Sequence, residues 1–207
     1  SPNRLFCPGP TPQPWNIKSS SLESDIYHRS KEFEAMVVSC AEMLKPLFGT
    51  STQPIILTSS GTGAMESVVV NLTNAGDKVI VIVGATGGIG ATLTRQLAST
   101  GARLVLAARN AEKLAALATE LPIDVLISAT DITQPQQVDT LIARTISRFG
   151  QIDVLVNAAG AGILKAYNTI EPSDLDKMLD LNLKGCFYTT QAAAKEMQKR
   201  KSGHICN

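Results

Sequence analysis

Apolar and polar positions follow two different rhythms in this chain, and the change falls near Lys78. After it, Val79-Ile80-Val81-Ile82-Val83 is apolar without a break, the pattern of a strand buried on both faces. Ile89, Leu93 and Leu97 then recur at helical spacing. Arg103–Ala108 reads as a second strand, and Leu114, Leu117, Ala118 and Leu121 as the apolar side of the next helix. Asp124–Ser128 is a third strand. Val138, Leu141, Ile142, Thr145 and Phe149 mark a third helix, and Ile152–Val156 a fourth strand. Helical segments are predicted from about Pro172 to Arg200, with a fifth strand starting near His204. Strand and helix alternate throughout. That predicts an α/β fold, a doubly wound parallel sheet with right-handed crossovers and helices on both faces.

The residues before Lys78 are less regular. Residues 1–20 carry many Pro and Ser and no periodicity, so an extended arm or loop is expected. Phe33, Met36, Val37, Cys40, Met43, Leu44 and Leu47 share one face of a helix predicted over 30–46, with Pro46 and Gly49 at its end. Ile55-Ile56-Leu57 reads as a short strand and Gly61–Leu72 as a helix. The division is therefore an N-terminal αβα extension, residues 1–77, and a sheet domain, residues 78–207. The chain opens on Ser1 and finishes inside what reads as an internal strand, so the sheet is expected to be truncated.

Charge and composition narrow the function. Lys plus Arg is 19 and Asp plus Glu 18, a formal net charge of +1, which excludes a nucleic-acid binder that needs a basic stripe. No apolar run approaches the roughly 18 residues of a membrane span. The aromatic fraction is only 4% against 44% hydrophobic, so the core is aliphatic. Cys7, Cys40, Cys186 and Cys206 are scattered, and His28 and His204 are the two histidines. No spacing suits a structural metal, so none is expected, and reduced cysteines fit a cytoplasmic protein. The sequon at Asn71 reads as an unmodified helix end.

The strongest chemical signal is Val83-Gly84-Ala85-Thr86-Gly87-Gly88-Ile89-Gly90, between a strand and a helix. Gly84 allows a tight exit from the strand. Gly88 keeps a side chain out of the way of a pyrophosphate, and Gly90 permits close packing of the helix. The N–H groups of that helix then face the anion. Glycines also make empty turns, and the strand–turn–helix frame is what favours a dinucleotide. Arg109 stands about 20 residues past Gly90, where an acidic residue would bind the ribose hydroxyl of NAD. Without a carboxylate there, and with a guanidinium that pairs with a 2′-phosphate, NADP is favoured over NAD. The competing reading is a solvated arginine at a helix start. Asp131-Ile132 and Asn157-Ala158-Ala159-Gly160 fall at the C-terminal ends of strands, where ligands bind in such sheets, although each alone also fits an ordinary turn.

These residues resemble the short-chain dehydrogenase/reductase family. Residues 78–207 look like its N-terminal, Rossmann-like half, through the glycine loop, Arg109, Asp131-Ile132, Asn157–Gly160, Asn182-Leu183-Lys184-Gly185 and Ser202-Gly203-His204-Ile205. The resemblance implies that Gly84, Thr86, Gly88, Ile89 and Gly90 hold the cofactor. It implies that Asp131 and Ile132 face the adenine, and that Asn157, Ala159 and Gly160 line the cofactor. Asn182 would support the proton relay of the active site. Val83 departs from the threonine usual there, losing a hydroxyl that helps fix the loop. The family's serine and Tyr-x-x-x-Lys pair would follow residue 207. Tyr167 and Tyr188 do not supply that pair, since Glu171 and Ala192 stand four residues on.

Residues 1–82 resemble instead the start of a class V pyridoxal-phosphate aminotransferase of the alanine–glyoxylate kind. The resemblance rests on Leu5–Thr11, His28–Phe33 and Thr58–Glu66, and it implies a phosphate cradle at Ser60, Gly61 and Thr62. The Schiff-base lysine and its partner aspartate are missing, which speaks against PLP as a cofactor. The two resemblances meet at Gly76–Val83, which suggests a chimera. The expected function is an NADP-dependent oxidoreductase, catalytically incomplete in these 207 residues. The alternatives are a non-catalytic chimeric nucleotide-binding scaffold, in which the 55–57 strand covers a sheet edge, and, behind it, an aminotransferase fragment. The partners expected are a dinucleotide and a small-molecule substrate of unknown kind. No nucleic acid or membrane is expected, and assembly as a homo-oligomer stays open.

Overall fold

The structure, a computed structural model, describes residues 14–20, 26–56, 63, 64, 67, 71 and 78–207. The chain divides into two compact units, Ser1–Thr58 and Ser59–Asn207.

In the first unit, a helix α1 (Trp15–Ser20) occupies part of the stretch expected to be a loop. Pro14 leads into it, its carbonyl accepting from the N–H groups of Ile17 and Lys18. None of its residues is buried, so no apolar face exists for periodicity to reveal. Helix α2 (Lys31–Phe48) is capped by Ser30, whose hydroxyl accepts from Phe33 N–H at 3.1 Å, and by Gly49 in the left-handed region. It continues two residues past Pro46. Of its residues only Ala41 is buried, while Met36, Val37, Met43 and Leu47 are exposed. The strand expected at 55–57 is not formed at Ile55 and Ile56, which are irregular and exposed, and Leu57 lies outside the described residues. A strand exists only through its partner's hydrogen bonds, and the five sheet strands pair with one another.

In the second unit, Gly63, Ala64, Ser67 and Asn71 are helical, within the helix expected over 61–72. The sheet domain then runs β1 (Val79–Val83), α3 (Gly88–Leu97), β2 (Arg103–Ala108), α4 (Ala111–Thr119), β3 (Leu126–Ala129), α5 (Pro135–Phe149) and β4 (Val154–Asn157). After a 3₁₀ turn at Tyr167–Thr169 come α6 (Pro172–Leu179), a π-helical turn (Asp180–Gly185), α7 (Cys186–Arg200) and β5 (His204–Cys206). All neighbouring strands are parallel, in the order β3-β2-β1-β4-β5. The α/β, doubly wound sheet read from the apolar runs is thus present.

Alternation along the strands sorts the core into two layers. Ile80, Ile82, Leu104 and Leu106 point to one face and pack with Leu93 and Leu97 of α3 and Leu114 and Leu117 of α4. Val79, Val81, Val105 and Leu155 point to the other and pack with Leu141 of α5 and Ala193 and Met197 of α7. Because both faces are covered, β1 reads as an unbroken apolar run. Strands β3 and β4 begin two residues later than the apolar pattern suggests. Their starts are set by pairing, Val105 with Leu126 and Ile80 with Val154, and not by hydrophobicity. Ile89 is exposed, since the first turn of α3 rises above the sheet.

Asp153, 5% exposed, fixes the start of β4. Its carboxylate accepts from Val79 N–H at 2.8 Å, Gln151 Nε2 at 2.7 Å and the Arg200 guanidinium at 3.1 Å. Its own N–H donates to Val79 O, and its carbonyl accepts from His204 N–H. One residue thereby joins β1, β4, β5 and the end of α7. Burial alone raises the pKa of this carboxyl, but the hydrogen bonds from Val79, Arg200 and Gln151 outweigh it and hold the pKa below the ordinary value. Asp153→Ala leaves Val79 N–H and Arg200 without this acceptor, and a loss of about 3–5 kcal/mol in urea unfolding is expected. A depressed folded-state pKa gives stability that is present above the unfolded pKa of about 3.9 and lost as pH falls through the folded value. The stability gap between wild type and Asp153→Asn is therefore expected to narrow below about pH 4.

Candidate functional site

The sheet order reverses between β1 and β4, and the loops leaving these two strands meet at their C-terminal ends. Gly84 N–H donates to Ala107 O at 2.8 Å, and Ala158 N–H to Val83 O at 2.9 Å, so the ladder continues into both loops. Gly84 turns at φ +79, and a Cβ there would stand 2.5 Å from Ala159 N and 2.7 Å from the Ala158 carbonyl carbon. Only glycine fits both the angle and the gap. A Cβ on Gly90 would stand 2.2 Å from Gly84 O, so the close packing expected of Gly90 is against the loop itself. A Cβ on Gly88 would meet nothing within 4 Å. Gly87 is the N-cap of α3 and supplies no side-chain acceptor, which leaves the first-turn N–H groups of α3 to solvent or a ligand.

A cleft of ≈ 270 Å³ opens over this junction. Gly84, Thr86 and Gly87 form its floor side, Arg109 comes from the end of β2, Asp131 and Ile132 from the end of β3, and Ala159 and Gly160 from the end of β4. A neighbouring hollow of ≈ 350 Å³ shares Arg109, Asp131, Ala161 and Leu181 and adds Lys177 and Met178 of α6. The Asp131 carboxylate accepts from Thr133 N–H at 3.0 Å and from the Thr133 hydroxyl at 2.8 Å, while Asp131 N–H donates to Gln137 Oε1. Ile132 is 4% exposed and lies under the π turn, where a Cβ on Gly185 would meet its Cδ1 at 2.7 Å.

Five of the residues singled out in the sequence do not line this cleft: Gly88, Ile89, Gly90, Asn157 and Asn182. Gly90 is buried behind the loop, against Gly84. Gly88 and Ile89 sit exposed at the start of α3. Asn157 turns behind the cleft. Its Oδ1 accepts from the buried Thr189 hydroxyl at 2.7 Å, and its Nδ2 donates to Thr190 Oγ1 and to Asn207 Oδ1. Asn182 sits in the π turn and clamps the loop after β4: Nδ2 donates to Ala161 O at 2.9 Å and Oδ1 accepts from Ala161 N–H at 3.0 Å. That pair holds the chain that carries Gly160 and Ala161 over the cleft. Farther along the loop, Lys165 pairs with Asp174 of α6. The hydrogen bond from Lys165 and the Glu171 N–H hold the Asp174 carboxyl below its ordinary pKa. Tyr167 is 93% exposed and Tyr188 half-buried on α7. The residues proposed as a phosphate cradle in the N-terminal segment, Ser60, Gly61 and Thr62, lie outside the described residues.

Gly87, Lys113, Thr130, Ala161 and Leu181 also line the cleft, and sequence reasoning did not single them out. Gly87, Thr130 and Ala161 adjoin residues it did name. Lys113 carries no comparable signal, because it reads as a solvated position on α4. The π turn gives no periodic signature either.

The family model for short chain dehydrogenases matches residues 78–207. An uncharacterized oxidoreductase of Staphylococcus aureus (strain USA300) is 40% identical over 132 residues, 63% of this chain and 57% of the relative. A metagenomic short-chain oxidoreductase in complex with NADP is 34% identical, with a TM-score of 0.61 over 64% of this chain and 62% of that one. A 7α-hydroxysteroid dehydrogenase complexed with NADH is 32% identical, with a TM-score of 0.60 over 65% of this chain and 53% of that one. The chain thus spans less than two thirds of the length of these proteins. The match begins at Lys78, and the aminotransferase resemblance of the preceding residues, with the chimera built on it, draws no support from it.

The glycine geometry separates three substitutions. Gly90→Ala forces a methyl into the loop backbone and is expected to cost about 2 kcal/mol or more. Gly84→Ala adds the penalty of a left-handed angle, about 1 kcal/mol further. Gly88→Ala enters open space at a helical position, where a gain of a few tenths up to about 1 kcal/mol is expected. Thermal melts of the three variants read this order.

Proposed function

Since residues 78–207 make this chain a member of the short-chain dehydrogenase family, we propose that it holds an NADP-type dinucleotide in the cleft at the β1/β4 switch point, as part of an NADP-dependent oxidoreductase. One observation carries the cofactor choice. The cleft wall at the end of β2 presents the Arg109 guanidinium and no carboxylate. A carboxylate at that position accepts the ribose hydroxyls of NAD and repels a phosphate, whereas a guanidinium pairs with it. The similar structures include one with NADP and one with NADH, so they support a nicotinamide dinucleotide and the choice of NADP rests on Arg109.

The fit of a dinucleotide rests on the residues themselves. The open space over Gly88 and the uncapped first turn of α3 suit a pyrophosphate against the backbone. The apolar hollow at Ile132, Ala159 and Leu181 suits an adenine face. When bound, such a dinucleotide supplies a hydride or accepts one. The part assigned to this chain is to bind and orient it. Thr86 and the α3 N–H groups would hold the pyrophosphate, Arg109 the 2′-phosphate, and Asp131 the adenine edge. Asn182, as a positioning residue, would keep the Gly160–Ala161 backbone in place over the cofactor.

We further propose that the 207 residues alone turn over little substrate. Of the three tyrosines, Tyr167 and Tyr188 have no lysine four residues on, and Tyr27, which has Lys31 there, precedes the residues 78–207 that match the family. Residues 78–207 form the nucleotide-binding domain in this reading, and residues 1–77 a separate segment.

Fluorescence titration with NADPH and NADH tests the cofactor assignment. Tighter binding of NADPH is expected, with a matching rise in melting temperature. Arg109→Ala is expected to weaken NADPH about tenfold and leave NADH within a factor of about two. Equal affinity of the wild type for the two nucleotides would overturn the NADP assignment.

A further inference from the structure

We propose that Gln137 of α5 is a positioning residue for recognition of the nucleotide base. It fixes the turn that carries Asp131, so that one carboxylate oxygen meets the amino group of an adenine and rejects a base with a carbonyl in its place. This inference rests on the dinucleotide reading above and adds to it a residue that does not itself line the cleft.

Asp131 is held at three of its polar groups. Its N–H donates to Gln137 Oε1 at 2.8 Å. Its carbonyl accepts from Gln134 N–H at 3.0 Å. Its Oδ1 accepts from Thr133 N–H at 3.0 Å and from the Thr133 hydroxyl at 2.8 Å. Oδ2 remains, and it accepts from no group among the described residues. Asp131 lines both the cleft and the neighbouring hollow, and Leu181 lines them with it. A flat heterocycle against Ile132, Ala159 and Leu181, edged by an N–H donor, matches a single open carboxylate oxygen.

The bond made by Gln137 differs from the one its place in the helix favours. Gln137 is the third residue of α5, whose N-cap is Gln134. A glutamine there ordinarily closes a capping box by accepting from the N-cap N–H. Gln134 N–H already donates to Asp131 O, and Gln137 Oε1 reaches back six positions to Asp131. The exposed side chain thereby steadies the cleft turn and leaves its own helix end to the backbone. Without it, Asp131 N–H turns to water, the peptide before Asp131 gains freedom, and the carboxylate loses its fixed aim. Adenine presents an exocyclic amino donor, and hypoxanthine presents a carbonyl oxygen at the same place. A fixed carboxylate oxygen accepts from the first and repels the second, and the contrast fades once that oxygen is free to move away.

The test is fluorescence titration of wild type, Gln137→Met and Asp131→Asn with NADPH and with its reduced hypoxanthine analogue, beside thermal melts without nucleotide. The nicotinamide reports on both ligands, which differ only in the base. Wild type is expected to bind NADPH about tenfold tighter than the analogue. Gln137→Met is expected to cut that preference to about threefold or less, chiefly by weakening NADPH. Its melting temperature is expected to stay close to that of wild type, because Met and Gln have similar helix propensities. Asp131→Asn offers an amide that either accepts or donates, so its preference is expected to vanish. If Asp131→Asn loses the preference and Gln137→Met keeps it, the inference about Gln137 fails alone. Equal weakening of both ligands by Gln137→Met, with their ratio unchanged, also overturns it, since that is the effect of a merely structural residue. A wild type that binds both ligands alike, or a preference that survives Asp131→Asn, overturns the assignment of Asp131 to the adenine edge together with this inference. Binding of neither ligand overturns the dinucleotide reading as well.

Discussion

Three stretches of backbone meet at the C-terminal end of β1 with no side chain between them. Gly84 lies against Ala158 and Ala159 of the loop after β4, and Gly90 of α3 lies against Gly84 itself. A single methyl at either glycine would overlap main-chain atoms, which cannot move aside as a flexible side chain can. This exclusion draws the β1 and β4 loops together where the strand order reverses, and it brings the start of α3 over them. The cleft at that reversal is thus a consequence of two missing side chains. Gly88, between them, faces open space.

The opposite end of the sheet is fixed by charge and hydrogen bonding. Asp153 is buried, yet its carboxylate accepts from Val79 N–H, Gln151 and Arg200. Such a group is stable only as a satisfied unit, since a buried acceptor left alone is costly. The result is a pinned sheet: Asp153 holds β1, β4 and β5 at their starts, and the glycine contacts hold β1 and β4 at their ends. The aliphatic layers between these two points set the spacing of the helices but not the register.

The loop after β4 illustrates a third kind of constraint. Its backbone is held over the cleft by two hydrogen bonds from one side chain, Asn182, and that side chain is aimed by a π-helical turn. The turn can approach because Gly185 leaves room for Ile132. A widened turn of this kind is rare and tends to occur at functional sites. Here its effect is concrete, since it ties the end of β3, through Ile132, to the end of β4, through Ala161.

Much of this protein was legible in one dimension. Apolar runs at Val79–Val83 and Arg103–Ala108 marked strands covered on both faces, because a doubly buried strand has no polar side to show. The order of strand and helix fixed the fold class, and the strand–glycine–helix context located the cleft. Arg109 was legible because a fixed distance separates the glycine loop from the end of the next strand. Other features depended on atoms brought together from distant parts of the chain. The expected strand at Ile55 and Ile56 had the right residues but no strand partner among the described residues, and strands are defined by pairing. Asn157 stood in the right motif, yet Thr189 and Asn207, far along the chain, turn its side chain away from the cleft. Lys113 looked like any solvated lysine until the fold set it on the cleft wall. Residue order alone was enough to mark most of the strands and helices and the glycine-lined turn between β1 and α3, since periodicity and glycine act locally. The strand register, the π turn and the facing of Asn157 and Asn182 emerge in three dimensions alone, because each is set by a hydrogen bond or a steric limit between separate elements.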